Sequence, residues 1–247
     1  MINQLKLYDP LFPKVRLGSV DDGGYVLPVQ SLGRSVALFT YGVEQNICFE
    51  RNYVDVTGKN VYCFDHTIEG IGIEEKYSRN IFYHKEGLSS FKIENTDNFL
   101  SHYRNLGIEG RVLFKADVEG CEFDYILNTD ISELAKITTG LIFEFHFLEE
   151  YCNNNKLFWE CLRRLNEHYY LCHVHGNNWG TNFVYDEIQE PYIRQYSIPE
   201  NLELTFVNKD LVEYPKYDTS TYPSEYLDRP NKPSKGDLDL TFLKMIS

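Results

Sequence analysis

No stretch of this 247-residue sequence approaches the roughly 20 apolar residues needed to cross a bilayer, and residues 1–10 lack the long apolar core of a secretion signal. A cytoplasmic chain without a membrane span is the expectation. Basic residues are scarce: 24 Lys and Arg stand against 37 Asp and Glu, a net charge of −13. Grip on a phosphate backbone comes largely from Lys and Arg displacing counterions, so this balance argues against a nucleic-acid partner and for a small-molecule or carbohydrate one. No two of the six cysteines (Cys48, Cys63, Cys121, Cys152, Cys161, Cys172) have the two-residue spacing of a zinc knuckle or redox motif. Several sit in apolar runs, which reads as buried free thiols in a reducing compartment. Internal repeats and low-complexity tracts are also missing.

What is present is core-forming material, 43% hydrophobic and 15% aromatic, enough for one α/β domain. The expected layout is a turn or hairpin extension at 1–35, a core at 36–207 and an irregular tail at 208–247. Residues 36–41, 60–65, 80–84, 112–117, 140–146 and 170–175 read as strands, and 46–55, 96–106 and 154–168 as helices. In the last helix Phe158, Cys161, Leu162, Leu165 and Tyr169 form one apolar stripe. This alternation implies βαβ units: a Rossmann-like, mainly parallel sheet with helices on both faces. The strand at 202–207 is expected at the edge or antiparallel, and 214–235, rich in Pro, Ser, Asp and Tyr, as irregular chain over the surface.

Ligands of an open parallel sheet bind beyond the carboxyl ends of its strands. Gly42, Asp65, Asp117, Glu144 with His146, and His173 with His175 all fall at such ends. Gly42 either lets backbone N–H groups approach a ligand or makes an ordinary strand-to-helix turn. Asp65, about 20 residues later, either meets ribose hydroxyls or caps the next helix. In Lys115-Ala-Asp-Val-Glu-Gly-Cys-Glu122, Glu122 and nearby Asp124 are accounted for as helix-start charges. Lys115 and Asp117 precede that helix, and Lys115 alternates with Phe114 across a buried sheet, so these two call for a partner or a role. Glu144 and His146 point to one face, and His173 and His175 repeat the spacing. Two His and two carboxylates can ligate a metal, but such pairs arise on any polar rim, and no metal is expected. Asp22-Gly-Gly-Tyr25 is a strong turn, able to fold over the rim and help hold a cofactor. His175-Gly-Asn-Asn-Trp179 is either a substrate loop or a plain Gly-Asn turn.

The ordered set Arg16…Asp22-Gly-Gly-Tyr25, Tyr41-Gly42…Asn46-Ile47…Phe49-Glu50, Phe64-Asp65, Gly87-Leu-Ser89, Lys115-x-Asp117-x-Glu119-Gly120-x-Glu122, Glu144-Phe-His146 and Val174-His175 resembles the FkbM-type methyltransferases. The match runs from about Arg16 to Phe206, with Leu227-Asp-Arg-Pro-Asn-Lys-Pro233 similar to the closing segment of one subgroup. The resemblance implies a Rossmann-like sheet with an antiparallel last strand. It also implies S-adenosyl-L-methionine as methyl donor, with S-adenosylhomocysteine as product, and a hydroxyl acceptor, often on a sugar. By position, Gly42 lies against the methionine moiety, Asp65 binds the ribose, Gly87, Leu88 and Ser89 lie near the adenine, and Asp117 faces methyl transfer. Asp22, Gly23, Gly24, Tyr25, Tyr41, Glu44, Asn46 and Glu119 complete the expected cofactor set. Glu44 and Asn46 depart from the family, standing where small residues are expected.

The expected reaction is O-methylation of a sugar hydroxyl, on a nucleotide-activated sugar or a surface polysaccharide. A sugar hydroxyl is a weak nucleophile that gains from a base in reach. Asp117 or His146 is the expected base, with Glu144, His175 and Lys115 completing the catalytic set. A nucleotide-linked sugar needs basic groups such as Arg16, Lys115 or Arg194 to receive its charge. Rival readings are an NAD-type oxidoreductase, disfavoured by the single glycine where a dinucleotide fingerprint has three, and a non-catalytic glycan-binding protein. A homodimer is compatible with either.

Overall fold

The computed structural model describes residues 1–246. An antiparallel hairpin of β1 (Lys14–Gly18) and β2 (Gly24–Pro28) turns at the Asp22-Gly-Gly24 segment, as its sequence requires. Then follow α1 (Val29–Arg34), β3 (Ala37–Tyr41), α2 (Cys48–Thr57), β4 (Asn60–Phe64) and β5 (Ile81–His84). Next come α3 (Phe99–Asn105), β6 (Val112–Asp117), α4 (Cys121–Asn128), α5 (Ile131–Ile137), β7 (Thr138–Phe145), α6 (Leu157–His168) and β8 (Tyr169–Gly176). A second hairpin, β9 (Asn182–Gln189) and β10 (Tyr192–Pro199), precedes β11 (Leu202–Asn208).

Seven strands form the central sheet in the order β8-β11-β7-β6-β3-β4-β5. β7, β6, β3, β4 and β5 pair in parallel, and β11 pairs antiparallel with both β7 and β8. The expected α/β architecture is therefore present. The strand near 202–207, expected at the edge or antiparallel, is antiparallel and lies inside the sheet, with β8 taking the edge. Inserting it there lets a chain returning from the hairpin close the sheet without a further crossover helix.

Side chains alternate across the sheet. Phe39, Phe114, Ala116 and Phe143 join one apolar cluster with Phe99, Phe123, Leu134 and Leu162 of α3 to α6. Leu38, Val61, Leu113 and Ile142 face the other way, under Leu17, Tyr25 and Leu27 of the hairpin and Phe49 and Tyr53 of α2. Helices thus cover both faces. α3 starts at Phe99, where the Asn98 side chain accepts from Ser101 N at 2.9 Å, three residues later than the pattern predicts. α6 starts at Leu157, after a turn of π helix at Glu150–Asn154.

The hairpin β9–β10 is absent from the sequence-based layout. Phe183, Tyr185, Tyr196 and Ile198 are buried against the core, but Val184, Ile188, Tyr192 and Ile193 stand exposed. Apolar residues thus fall on both faces and blur the apolar/polar alternation that reveals a half-buried strand in sequence. The tail is irregular, as expected, but it is more than a surface covering. Asp228 and Asn231 are buried, as are Leu240, Phe242 and Leu243 further on. Lys216–Tyr217 also pairs with Tyr8–Asp9, joining the tail to the start of the chain. Among the cysteines, Cys63, Cys152, Cys161 and Cys172 are buried free thiols, Cys48 is half-buried and Cys121 is exposed.

Candidate active site

A cleft of about 440 Å³ opens at the carboxyl ends of β3, β4, β6 and β7. Its floor depends on Gly42, just past β3, which has φ +72° and donates its N–H to Phe64 O at 3.0 Å. A Cβ there would fall 1.7 Å from Asp117 O, so only glycine lets the ends of β3 and β6 approach so closely. Glu44 also has positive φ (+46°), and its N–H meets Asp65 Oδ2 at 3.0 Å. The other Asp65 oxygen accepts from Thr67 N at 2.8 Å and Thr67 Oγ1 at 2.6 Å. Asp65 therefore braces the loop between β3 and α2. The helix that Asp65 could cap does not form: residues 66–74 are irregular.

The opposite wall is ionisable. Lys115 projects from the sheet on the face away from Phe114, as alternation predicts, and is buried under the hairpin. Its Nζ lies 3.8 Å from Asp117 Oδ2 and 4.7 Å from the centroid of the Tyr25 ring. The Tyr25 hydroxyl donates to Asp117 Oδ2 at 2.9 Å and reaches Glu144 Oε2 at 3.4 Å. Asn177 Nδ2 donates to Glu144 Oε1 at 2.6 Å. Burial, with the nearby charges of Asp117 and Glu203, pushes the Glu144 carboxyl well above the ordinary carboxylate range.

His146 sits one residue past β7. Its Nδ1 pairs with Glu122 Oε1 at 3.1 Å, an oxygen that also accepts from Val118 N at 3.2 Å. Nε2 faces the cleft, 3.6 Å from Glu144 Oε1, 3.7 Å from Glu119 Oε2 and 3.8 Å from Asp117 Oδ1. Burial pulls the imidazole down, but the hydrogen bond and charge of Glu122, with Asp117 and Glu119, outweigh it and leave its pKa raised. Glu122 is thus more than a helix-start charge. It is fully buried, and among the described residues its second oxygen has no hydrogen-bond partner. Asp124, by contrast, stays at the helix start as expected, accepting from Ser90 Oγ at 2.5 Å.

Register carries the charge across the sheet: Asp117 faces Glu144, Glu144 faces Glu203, and Glu203 faces His175. His175 does not reach the cleft as expected, because β11 lies between it and β7. Its Nδ1 pairs with Glu203 Oε2 at 3.0 Å and its Nε2 with Asp237 Oδ1 of the tail at 3.2 Å. His173 is likewise taken, by Asp228 at 2.7 Å. His173 and His175 therefore do not repeat the Glu144–His146 arrangement.

Of the other expected residues, Asp22, Gly23, Tyr25, Gly42, Glu44, Asn46, Asp65, Gly87, Leu88, Lys115, Asp117, Glu119, Glu144 and His146 line the cleft. Gly24, Tyr41 and Ser89 do not. Gly24 packs against Ser19 O and the Arg16 guanidinium, and Ser89 Oγ donates to Phe91 O at 2.5 Å. Tyr41 is fully buried with its hydroxyl 3.0 Å from His102 Nδ1, because its side chain follows strand alternation into the core. Asn46 Nδ2 donates to Asp22 O at 3.0 Å and to Ser19 Oγ at 3.2 Å, so this departure from small residues ties the Asp-Gly-Gly turn to the start of α2.

Glu50 and Asn177, which fall in the resemblance set and the His175–Trp179 loop, also line the cleft, as do His66 and Asn201, which no local sequence signal marks as site residues. Trp179 joins them from the loop after β8. In that loop Asn177 holds Glu144, while Asn178 Nδ2 donates to the carbonyls of Lys232 (3.1 Å) and Gly236 (3.2 Å).

No family model matches the chain, and no curated protein matches it. Solved structures match at low likeness. The apo structure of CmcI is 17% identical over 58% of this chain and 59% of that one, with a TM-score of 0.43. CmcI with SAH is 16% identical, covering 58% and 64%, with a TM-score of 0.41. The Methanococcus jannaschii fibrillarin pre-rRNA processing protein is 12% identical, covering 72% and 69%, with a TM-score of 0.37. The chain spans about three-fifths of the length of the CmcI chains it matches.

Proposed function

We propose that this chain is an S-adenosylmethionine-dependent O-methyltransferase acting on a sugar hydroxyl, of the FkbM type its motifs resemble. The observation that carries the reading is one cleft with two unlike walls: a glycine-floored side with Gly42, Asp65 and Gly87, and an acid–base side with Asp117, Glu144 and His146. The first wall suits the cofactor. A Cβ at Gly42 would fall 1.7 Å from Asp117 O and one at Gly87 2.3 Å from His66 Nδ1, so both glycines let neighbouring groups close tightly around the cleft and leave no side chain of their own in it. Seven carboxylates and one lysine line the cleft, a field that favours a ligand carrying sulfonium and ammonium charge. When bound, S-adenosylmethionine supplies an electrophilic methyl group and leaves as S-adenosylhomocysteine.

The chain's own residues position the acceptor and receive its proton. Asp117, Glu144 and His146 surround one spot of the rim, and any of the three is placed to accept a hydroxyl proton. Tyr25 and Asn177 hold the two carboxylates in place, which is the positioning that in-line transfer needs. The same field disfavours a nucleotide-linked sugar. Arg16 is spent on Ser19 O and Asp21 O, Lys115 is paired in the wall, and Arg194 stands on the β9–β10 hairpin away from the cleft. An uncharged sugar, free or in a polysaccharide, fits better.

Thermal-shift titration tests the cofactor. S-adenosylhomocysteine should raise the Tm and NAD should not; the reverse result favours the oxidoreductase, and no shift with either favours a non-catalytic glycan binder. With labelled cofactor and a panel of neutral sugars, Asp117→Asn should lose most methyl transfer while still binding S-adenosylhomocysteine. Wild-type turnover in that variant sinks the site assignment.

A further inference from the structure

Side chains from the ends of β6 and β7 converge without hydrogen bonds among them. One ligand atom from each of Asp117, Glu119 and His146 lies within 4.8 Å of the others. His146 Nε2 stands 3.8 Å from Asp117 Oδ1 and 3.7 Å from Glu119 Oε2, beyond hydrogen-bond reach. An ion bound at about 2.0–2.2 Å holds its donor atoms no more than about 4.4 Å apart, so these separations leave room for an ion between them.

The imidazole is prepared for such a partner. Its side chain is only 6% exposed, Glu122 engages its Nδ1 at 3.1 Å, and among the described residues no hydrogen bond reaches Nε2. A carboxylate on one ring nitrogen fixes the tautomer and aims the lone pair of the other. That lone pair points into a cleft where one lysine stands against seven carboxylates.

We propose that Asp117, Glu119 and His146 bind one divalent first-row metal ion of the Mn²⁺ kind. One imidazole with two carboxylates suits such an ion better than Mg²⁺, which prefers oxygen donors throughout. Binding stands independently of the methyl-transfer reading, and only the ion's role rests on it. There the ion makes the acceptor hydroxyl more acidic. Glu144, 3.6 Å from His146 Nε2 but outside the ligand set, takes the proton as the new O–CH₃ bond forms and the S–CH₃ bond breaks.

Chelator-treated full-length protein is titrated with MnCl₂ while the free-ion EPR signal is followed. One equivalent should bind. Glu119→Gln and His146→Gln should each weaken binding at least about tenfold. Glu44→Gln removes an acid from the same cleft but outside the cluster, and should leave the affinity unchanged. Glu119 is 70% exposed, so its replacement keeps the fold, which circular dichroism checks. Failure of the wild type to bind stoichiometrically, or an equal loss in Glu44→Gln, overturns the site. Thermal shifts with S-adenosylhomocysteine, run with and without Mn²⁺, separate the two ideas: no shift with Mn²⁺ bound refutes the methyl-transfer reading and leaves the metal site standing.

Discussion

His146 Nδ1 lies 3.1 Å from Glu122 Oε1, and that carboxylate is wholly enclosed by protein. The pair joins the start of α4 to the end of β7 and decides which ring nitrogen meets the cleft. Among the described residues Glu122 Oε2 has no hydrogen-bond partner, so the charge is held at a cost. Glu122→Gln keeps an oxygen for both His146 and Val118 N and removes that charge. Its unfolding free energy should stay within about 1 kcal/mol of wild type, while Glu122→Ala, which strands two buried donors, should lose about 2–4 kcal/mol. Urea unfolding of the two variants decides it, and equal losses would mean that the charge rather than the acceptor oxygen holds the site.

Gly42 makes a prediction of the opposite kind, about a missing side chain. Gly42→Ala must accommodate a methyl group 1.7 Å from Asp117 O at φ +72°. The ends of β3 and β6 have to part, at a cost of at least about 2 kcal/mol in stability. Because the separation opens the floor of the cleft, the Tm increase produced by S-adenosylhomocysteine should shrink as well. An Ala variant with wild-type Tm and ligand response would show that this close approach does not matter.

The sheet is legible in the sequence where burial is two-sided. Runs such as Val112 to Ala116 are apolar enough to announce a strand, and alternation with Phe114 places Lys115 on the proper face. What local sequence hides depends on contacts between distant segments. Glu122 has an adequate local explanation at the start of α4, and nothing nearby in sequence shows that β7 buries it. The row Asp117–Glu144–Glu203–His175 exists only because β11 enters between β7 and β8. The tail reads as loop from its Pro, Ser and Asp content, yet two of those acids are partners of β8 histidines.

That last pairing makes stability depend on pH. Burial opposes charge on His175, but Glu203 and Asp237 overcome it and push its pKa up to about 10, against about 6.5 in an unfolded chain. A raised pKa means that the folded state holds the proton more tightly. The contribution is full below about pH 6.5 and fades as pH rises through about 10. His175→Gln breaks a buried ion pair and should cost about 3–5 kcal/mol near pH 6. The gap between variant and wild type in chemical unfolding should narrow by pH 10, and a constant gap would assign His175 a packing role instead.

Asn178 is the side chain that fastens the tail beside the cleft. It is fully buried, its Nδ2 reaches the carbonyls of Lys232, Lys235 and Gly236 at 3.1–3.4 Å, and its Oδ1 accepts from Lys232 N at 2.6 Å. Lys232 in turn places its Nζ 4.4 Å from the centroid of the Trp179 ring at the cleft. Removing the amide in Asn178→Ala leaves several backbone groups without partners, so opening of the 224–237 segment becomes cheaper by about 2–3 kcal/mol. Trypsin can cut that segment after Lys235, whereas Pro230 and Pro233 block the bonds after Arg229 and Lys232. Cleavage at Lys235 should accelerate roughly 30-fold or more while the sheet core stays intact. If the tail remains as resistant as in the wild type, then His173–Asp228 and His175–Asp237 hold it without Asn178.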